Sequence, residues 1–486
     1  MKKILSILAA FCTTTMLSAQ DFEHLFDSFQ QSVQKEMQAF QDETRKAFFK
    51  ALEENWKQFN AHEAIQRPPR PKPQDAPVVV DDVEPIDIPL PVIEADSVEI
   101  TLPDFKPLDI PDVAVSPISR PENKPIELEG DTFSFSFYGV PIKMVEWKKD
   151  KCHLAGNKEK QVASFWRTLE ANVAEEILHR LNEYRERYDL NDWTLYRFVS
   201  SMVASKWSDA SERVVVEVFI LNHMGIDARI GRVEDHLSLL FPAKQMVYAR
   251  PFITLGSTKY FIMDPGEVKS VLTYNAPYSK DARPLDLELA HADYILDTGE
   301  SRVVRKEMPS LGKTISLPVQ QTRCEFYLEY PQVPVIQYAH ARVNEPVRKA
   351  LLQQLSEIRN IPDKRTAVSS LMRCIQKDFD YATDQDQFGF EKPFFVEENF
   401  VYACNDCEDR SILLAFLVKN LLNLDVVLLD YPEHIATAVN FGDLEVPGAY
   451  VTFNNKKYTV CDPTYIGAGI GMVMPQYRNV PATVLY

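Results

Sequence analysis

The 486-residue chain reads as an α+β protein made of two copies of one helix-then-strands unit, placed after a helical arm and a proline-rich linker. Three observations predict this. An apolar helical run opens twice behind an acidic start, at Asp209-Ala210-Ser211-Glu212-Arg213 and at Asp406-Cys407-Glu408-Asp409-Arg410. Each run is followed by a strand-like segment carrying a histidine, His236 or His434, and then by a hairpin that closes on Asp264-Pro265 or Asp462-Pro463. The spacings agree: Asp209 to Asp406 is 197 residues, whereas Asp227 to Asp425, His236 to His434 and Asp264 to Asp462 are each 198. One inserted residue reconciles them, and four matches at one offset mark an internal duplication.

Residues 1–19 have the pattern of a secretory signal: Lys2 and Lys3, an apolar stretch from Ile4 to Leu17, then Ser18-Ala19. The expected location is secreted or periplasmic. Cys12 lies inside the apolar stretch behind Phe11, which argues against a lipid anchor.

Residues 20–63 read as an amphipathic helical arm. From Asp21 to about His62, Phe22, Leu25, Phe26, Phe29, Val33, Met37, Phe40, Phe48, Leu52, Trp56 and Phe59 recur mostly three or four apart. Such an aromatic stripe either docks on its own protein or engages a protein partner. Residues 64–128 hold 14 of the 32 prolines between Gln66 and Glu127. They cannot build a core and form a linker or a strap. Their Pro-Val, Ile-Pro and Leu-Pro pairs keep the segment partly apolar, which favours a strap. The globular copies then occupy 129–320 and 321–486.

A net charge of −17 argues against nucleic acid or an anionic membrane surface as partner. No run after the signal is long and apolar enough to span a bilayer. Six cysteines remain after processing, too few for a disulfide framework in so long a chain.

The chemistry-bearing residues concentrate in the second copy. Cys407 opens a helix whose run Ile412, Leu413, Leu414, Phe416, Leu417, Val418, Leu421 and Leu422 is apolar on nearly every side, so that helix is buried and fixes where the cysteine points. A helix N-terminus offers unpaired N–H groups and a partial positive charge, which favour a thiolate and can hold an oxyanion. His434 would take the thiol proton and Asp462 would hold the imidazole. Taken singly, Cys407 is core filler, His434 a structural histidine and Asp462 a turn opener. Their order and their echo in the first copy make a catalytic triad the better reading. That first copy has Ala210 at the cysteine's place, so its His236 and Asp264 have nothing to activate. It also lacks an equivalent of the segment Tyr381 to Asn405.

Asp406-Cys407-Glu408-Asp409, His434-Ile435-Ala436 and Cys461-Asp462-Pro463-Thr464 resemble the transglutaminase-like branch of the papain-type cysteine enzymes. The similarity is good from about Ser369 to Thr464 and weaker from Leu195 to Pro265. It implies two papain-like domains, each a central helix packed on an antiparallel sheet, the first degenerate. It further implies acyl transfer or hydrolysis of peptide or glutamine-type amides through a thiolate, with no cofactor. The family usually has an aromatic residue soon after the histidine, where Ile435 and Ala436 stand here. No tryptophan follows Trp207, so the tryptophan that some members use on the oxyanion is missing. Asn405 or Tyr402 are the candidates to replace it. Asp406, Glu408 and Asp409 oppose a thiolate unless Arg410 or backbone donors compensate.

Cys404-Asn405-Asp406-Cys407 leaves two alternatives: a local disulfide that caps the nucleophile, or zinc held by Cys404, Cys407, His434 and Cys461. Cys461 and Asp462 are adjacent on a strand and point to opposite faces, which speaks against zinc. No acidic cluster has calcium-loop spacing, so neither calcium nor any other metal is expected. The rival to an enzyme is a non-catalytic envelope scaffold or binding protein, in which both units serve as a body and the arm and strap engage a partner.

Overall fold

The computed structural model describes residues 59–66, 78, 87–93, 126, 128–147, 153–172, 175–264, 266–275 and 281–486. The signal segment, most of the helical arm, much of the linker and Cys152 lie outside them. The fold is α+β with antiparallel sheets. Among the described residues no helix is long and apolar enough to cross a membrane.

Two six-stranded sheets dominate. We label β1 (Asn60–Glu63), β2 (Val92–Ile93), β3 (Arg229–Val233), β4 (His236–Pro242), β5 (Phe252–Leu255), β6 (Thr258–Ile262) and β7 (Ser270–Thr273). The second set is β8 (Val426–Tyr431), β9 (His434–Val439), β10 (Tyr450–Phe453), β11 (Lys456–Val460) and β12 (Ala482–Leu485). The first sheet runs β1-β7-β3-β4-β6-β5 and the second β2-β12-β8-β9-β11-β10, the same order strand for strand.

Register carries the duplication further. Leu240 pairs with Ile262 in the first sheet, and Ala438 with Val460 in the second, each exactly one repeat on. Phe252 faces Phe261 as Tyr450 faces Thr459. The hairpins turn where left-handed backbone is cheap, at Gly256 in one and at Asn454-Asn455 in the other.

Each sheet receives a buried helix: α1 (Ala210–His223) and α2 (Cys407–Leu417). Asp209 caps α1 by accepting the Glu212 N–H at 2.9 Å. That helix gives way to Gly225 at φ 81°, whereas α2 continues through a π turn, Val418–Leu422, to Asn423 at φ 53°. One continuous apolar cluster runs from Phe59 through both helices to Cys461 and joins the two halves. Separate small clusters cover the far face of each sheet.

The expected helix does not reach His62. Asn60–Glu63 is β1, hydrogen-bonded antiparallel to β7, because this end of the arm finds an open sheet edge that its backbone can satisfy. Phe59, the last aromatic of the stripe, is buried and lies against Tyr274 with ring centroids 6.0 Å apart. The described pieces of the linker lie along the sheets. Ile65 bridges to Phe252, Val78 to Ile466 and Pro89 to Tyr450. Val92–Ile93 pairs in parallel with Ala482 and Thr483, and Leu90 is buried. One stretch of chain therefore supplies the outer strand to both sheets.

Candidate active site

Cys407 is the first residue of α2, and His434 is the first residue of β9. Asp462 follows β11 on the next strand over, because β9 pairs with β11. That pairing brings the histidine and the carboxylate together: His434 Nε2 donates to Asp462 Oδ2 at 2.9 Å. The other Asp462 oxygen accepts the N–H groups of Thr464 at 2.8 Å and Tyr465 at 3.2 Å, which fixes the carboxylate. Gln376 holds the same turn from below, donating to the carbonyls of Asp462 and Tyr465. With Nε2 occupied, Nδ1 is the ring nitrogen able to accept a proton.

The sulfur lies against the strand that carries this imidazole. Cys407 Sγ accepts the N–H of Ile435, the residue after His434, at 3.4 Å. Ser411, one turn along α2, donates to the Ile435 carbonyl at 2.9 Å and locks helix to strand. The thiol itself donates to Glu408 Oε2 at 3.0 Å. Burial first, then Glu408 and Asp406, push the thiol well above its ordinary range. These surroundings favour the thiol over the thiolate. Arg410 does not relieve this. Its Nε donates to Asn405 Oδ1 at 2.9 Å, its Nη2 to the Phe379 carbonyl at 2.7 Å, and the guanidinium lies 5.2 Å from the Tyr381 ring centre.

All three residues are enclosed: Cys407 is 2% exposed, Asp462 3% and His434 7%. Aromatic rings close over the histidine. Tyr477 stacks on it with centroids 5.2 Å apart and planes at 15°, and Tyr431 lies parallel at 6.3 Å. The aromatic neighbour expected just after the histidine thus comes from three residues before it and from the C-terminal segment. Tyr431 is legible from its cross-strand pairing with His434, whereas nothing in the local sequence points to Tyr477. Burial and the adjacent Cys407 raise the Tyr477 hydroxyl to about 12. Tyr381, beside Cys407, Asp406 and Glu408, is raised as well, burial being the larger cause.

The oxyanion candidates are engaged elsewhere. Asn405 accepts from Arg410 and donates to Asn399 at 2.9 Å. Tyr402 packs edge-on against Phe388 and beside Phe394, 5.2 Å from Lys392. The Asn405 amide is thus committed to Arg410 and Asn399, and the Tyr402 ring to the aromatic cluster before α2. The backbone donor that reaches the sulfur is the Ile435 N–H on the neighbouring strand.

Cys404 and Cys407 are both free thiols, so the local disulfide is not formed. Among the described residues, the side-chain groups that converge closely enough to share one metal ion include none of Cys404, His434 and Cys461. The zinc arrangement is not formed, because Cys461 faces the core.

In the first copy, His236 bonds Asp264 through the same ring nitrogen, and Gly266 donates to the other Asp264 oxygen at 2.9 Å. Ala210 holds the first helical position, as Cys407 does. The strand N–H that reaches Cys407 in the second copy, however, goes to the next residue here: Leu237 N–H donates to Ser211 Oγ at 3.2 Å. His236 is half exposed at its side chain. Asp264 borders a cavity of about 540 Å³ that is also lined by Arg250, Tyr248, Gln332 and Lys392.

No protein-family model, no curated protein and no solved structure matches this chain.

Proposed function

We propose that the second copy is a transglutaminase-like, papain-type cysteine site in an exported protein, acting on peptide or glutamine-type amides. Cys407 is the nucleophile, His434 the base through Nδ1, and Asp462 the orienter. The observation that carries this reading is the pairing of His434 Nε2 with a fixed Asp462 carboxylate beside a helix-start sulfur that accepts the next residue's N–H. In the first step His434 takes the thiol proton and the sulfur adds to the amide carbonyl. The imidazolium then protonates the leaving nitrogen, and water or an amine releases the acyl group. The enclosed thiol, donating to Glu408, is the resting state of such a site.

A second reading, a non-catalytic scaffold, draws support from the burial of all three side chains and from surroundings that favour the thiol over the thiolate. Labelling by a peptidyl electrophile separates the two. The enzyme reading expects an adduct on Cys407, faster in Glu408→Gln and lost in Cys407→Ala. Labelling confined to the more exposed Cys404 in every variant would leave the scaffold.

A further inference from the structure

The first copy keeps the His–Asp pair but not what covers it in the second. Strand β7 starts six residues after Asp264, at Ser270, whereas β12 starts 20 residues after Asp462, at Ala482. The longer connection carries Tyr477 over His434. It also packs Gly471 so close to Gly448 that an added Cβ would strike the Gly471 backbone. One repeat back from Gly448 stands Arg250. There the short connection leaves room for a side chain, and Arg250 lines the cavity of about 540 Å³ beside Asp264.

Charge on the cavity wall is answered except at this residue. Arg197 donates to Glu329 and, at 3.2 Å, to the Tyr138 hydroxyl. Lys392 is held by Glu398 at 2.5 Å. Asp264 already accepts from His236 and from the Gly266 N–H. Glu391 brings its oxygen to within 4.8 Å of oxygens of Asp384 and Glu408, toward the start of α2. Among the described residues nothing accepts a hydrogen bond from Arg250. Burial weighs most against its charge and Arg197 adds to this, while Tyr196 and Asp264 oppose them. A half-buried guanidinium whose N–H fork meets no protein acceptor suits a carboxylate from outside.

The same cavity has an apolar rim. Leu328 and Phe390 border it and are each 49% exposed, so an apolar group seated against them would gain by leaving water. Met263 and Pro251 line it as well.

We propose that this cavity binds a free carboxylate joined to an apolar group, of the size of an N-acylated amino acid or the end of a peptide. Arg250 takes the carboxylate through its fork, and Leu328 and Phe390 cover the apolar part. The volume lies within the range of small-ligand sites. The first copy, without a nucleophile, then serves recognition. This holds whether or not Cys407 is catalytic.

The test is calorimetric titration of N-acetyl-L-leucine into the full chain at neutral pH. Its partner probe is N-acetyl-L-leucinamide, which has the same body without the charge. We expect one acid bound per chain and the amide at least about tenfold weaker. Arg250→Gln should weaken the acid at least about tenfold and leave the amide unchanged. Phe390→Ser should weaken both, and Cys407→Ala neither. A hexapeptide ending in leucine with a free carboxylate separates the sources. Binding as tight as that of N-acetyl-L-leucine assigns the site to a peptide end, and its exclusion to a small carboxylate. Should Arg250→Gln not fold, Arg250→Lys, which keeps the charge and loses the fork, should weaken the acid severalfold. Absence of heat with both free carboxylates overturns the site. Equal affinities for acid and amide, or undiminished binding in the folded Arg250 variants, do the same.

Discussion

The two copies use one scaffold in opposite ways. Both place a His–Asp pair on neighbouring strands beside the first turn of a buried helix, at the same register one repeat apart. In the first, the histidine is half exposed and the helix begins Ala210-Ser211. In the second, the histidine is enclosed by two tyrosines and the helix begins with a cysteine among buried carboxylates. The difference teaches that one sheet-and-helix geometry can hold different electrostatics. In the second copy the helix start brings Asp406, Glu408 and Asp409, and the segment from Tyr381 to Asn405 adds Asp384, Glu391, Lys392 and the Phe394 N–H.

The comparison breaks first at the nucleophile. Cys407→Ala should lower amide turnover by on the order of 10⁴-fold, measured as kcat/KM on a glutamine-containing peptide; retained turnover would remove the second copy's distinction. Next comes the orienter. Asp462→Asn should cost on the order of 10³-fold, while the equivalent Asp264→Asn should leave turnover within twofold. Equal losses would mean that the copies cooperate in chemistry.

A third contrast lies inside the helices. Glu217 of α1 occupies the position that Leu414 fills in α2, one repeat on, and both are buried. Burial raises the Glu217 carboxyl from 4.5 to about 7 against the opposing Ser200 hydrogen bond. The folded state thus prefers the protonated form. Stability is full below about pH 4.5, falls as pH rises toward about 7, and levels off above. The difference amounts to ~3 kcal/mol. Glu217→Gln should abolish that slope in chemical denaturation at pH 5 and pH 8, and an unaltered slope would contradict the assignment.

The strap gives a smaller effect. Leu90→Ala, in the second sheet's outer cover, should destabilise by about 2 kcal/mol, read as a lower denaturation midpoint. The smallest effect is expected from Ala210→Cys. Its thiol would stand at the equivalent helix start but without the carboxylate cluster, so its alkylation rate should match an ordinary exposed cysteine.

Much of this arrangement was legible in the chain. The 198-residue offset anticipated the paired strands, the helix starts behind Asp209 and Asp406 and the turns at Gly256 and Asn454-Asn455, because helix-start and left-handed-backbone preferences act on neighbouring residues. The strap was readable from its apolar prolines. The edge strand at Asn60–Glu63 was not, since a vacant sheet edge at Ser270–Thr273, far along the chain, overrode a helical pattern. Nor were the tyrosines over His434, because Tyr477 arrives through the path of the C-terminal segment. Asn405 and Tyr402 were placed near the sulfur by sequence proximity, whereas the fold engages the Asn405 amide with Arg410 and Asn399 and packs the Tyr402 ring beside Lys392.

The most direct test of the central claim is mass-spectrometric mapping of the adduct formed by a glutamine-type peptidyl electrophile. It should be run on the wild-type chain and on His434→Ala, with Cys404 as the internal control. A triad predicts modification of Cys407 in the wild type that falls at least about tenfold in His434→Ala, while Cys404 modification stays constant. Equal modification of Cys407 in both proteins, or none in either, would contradict it.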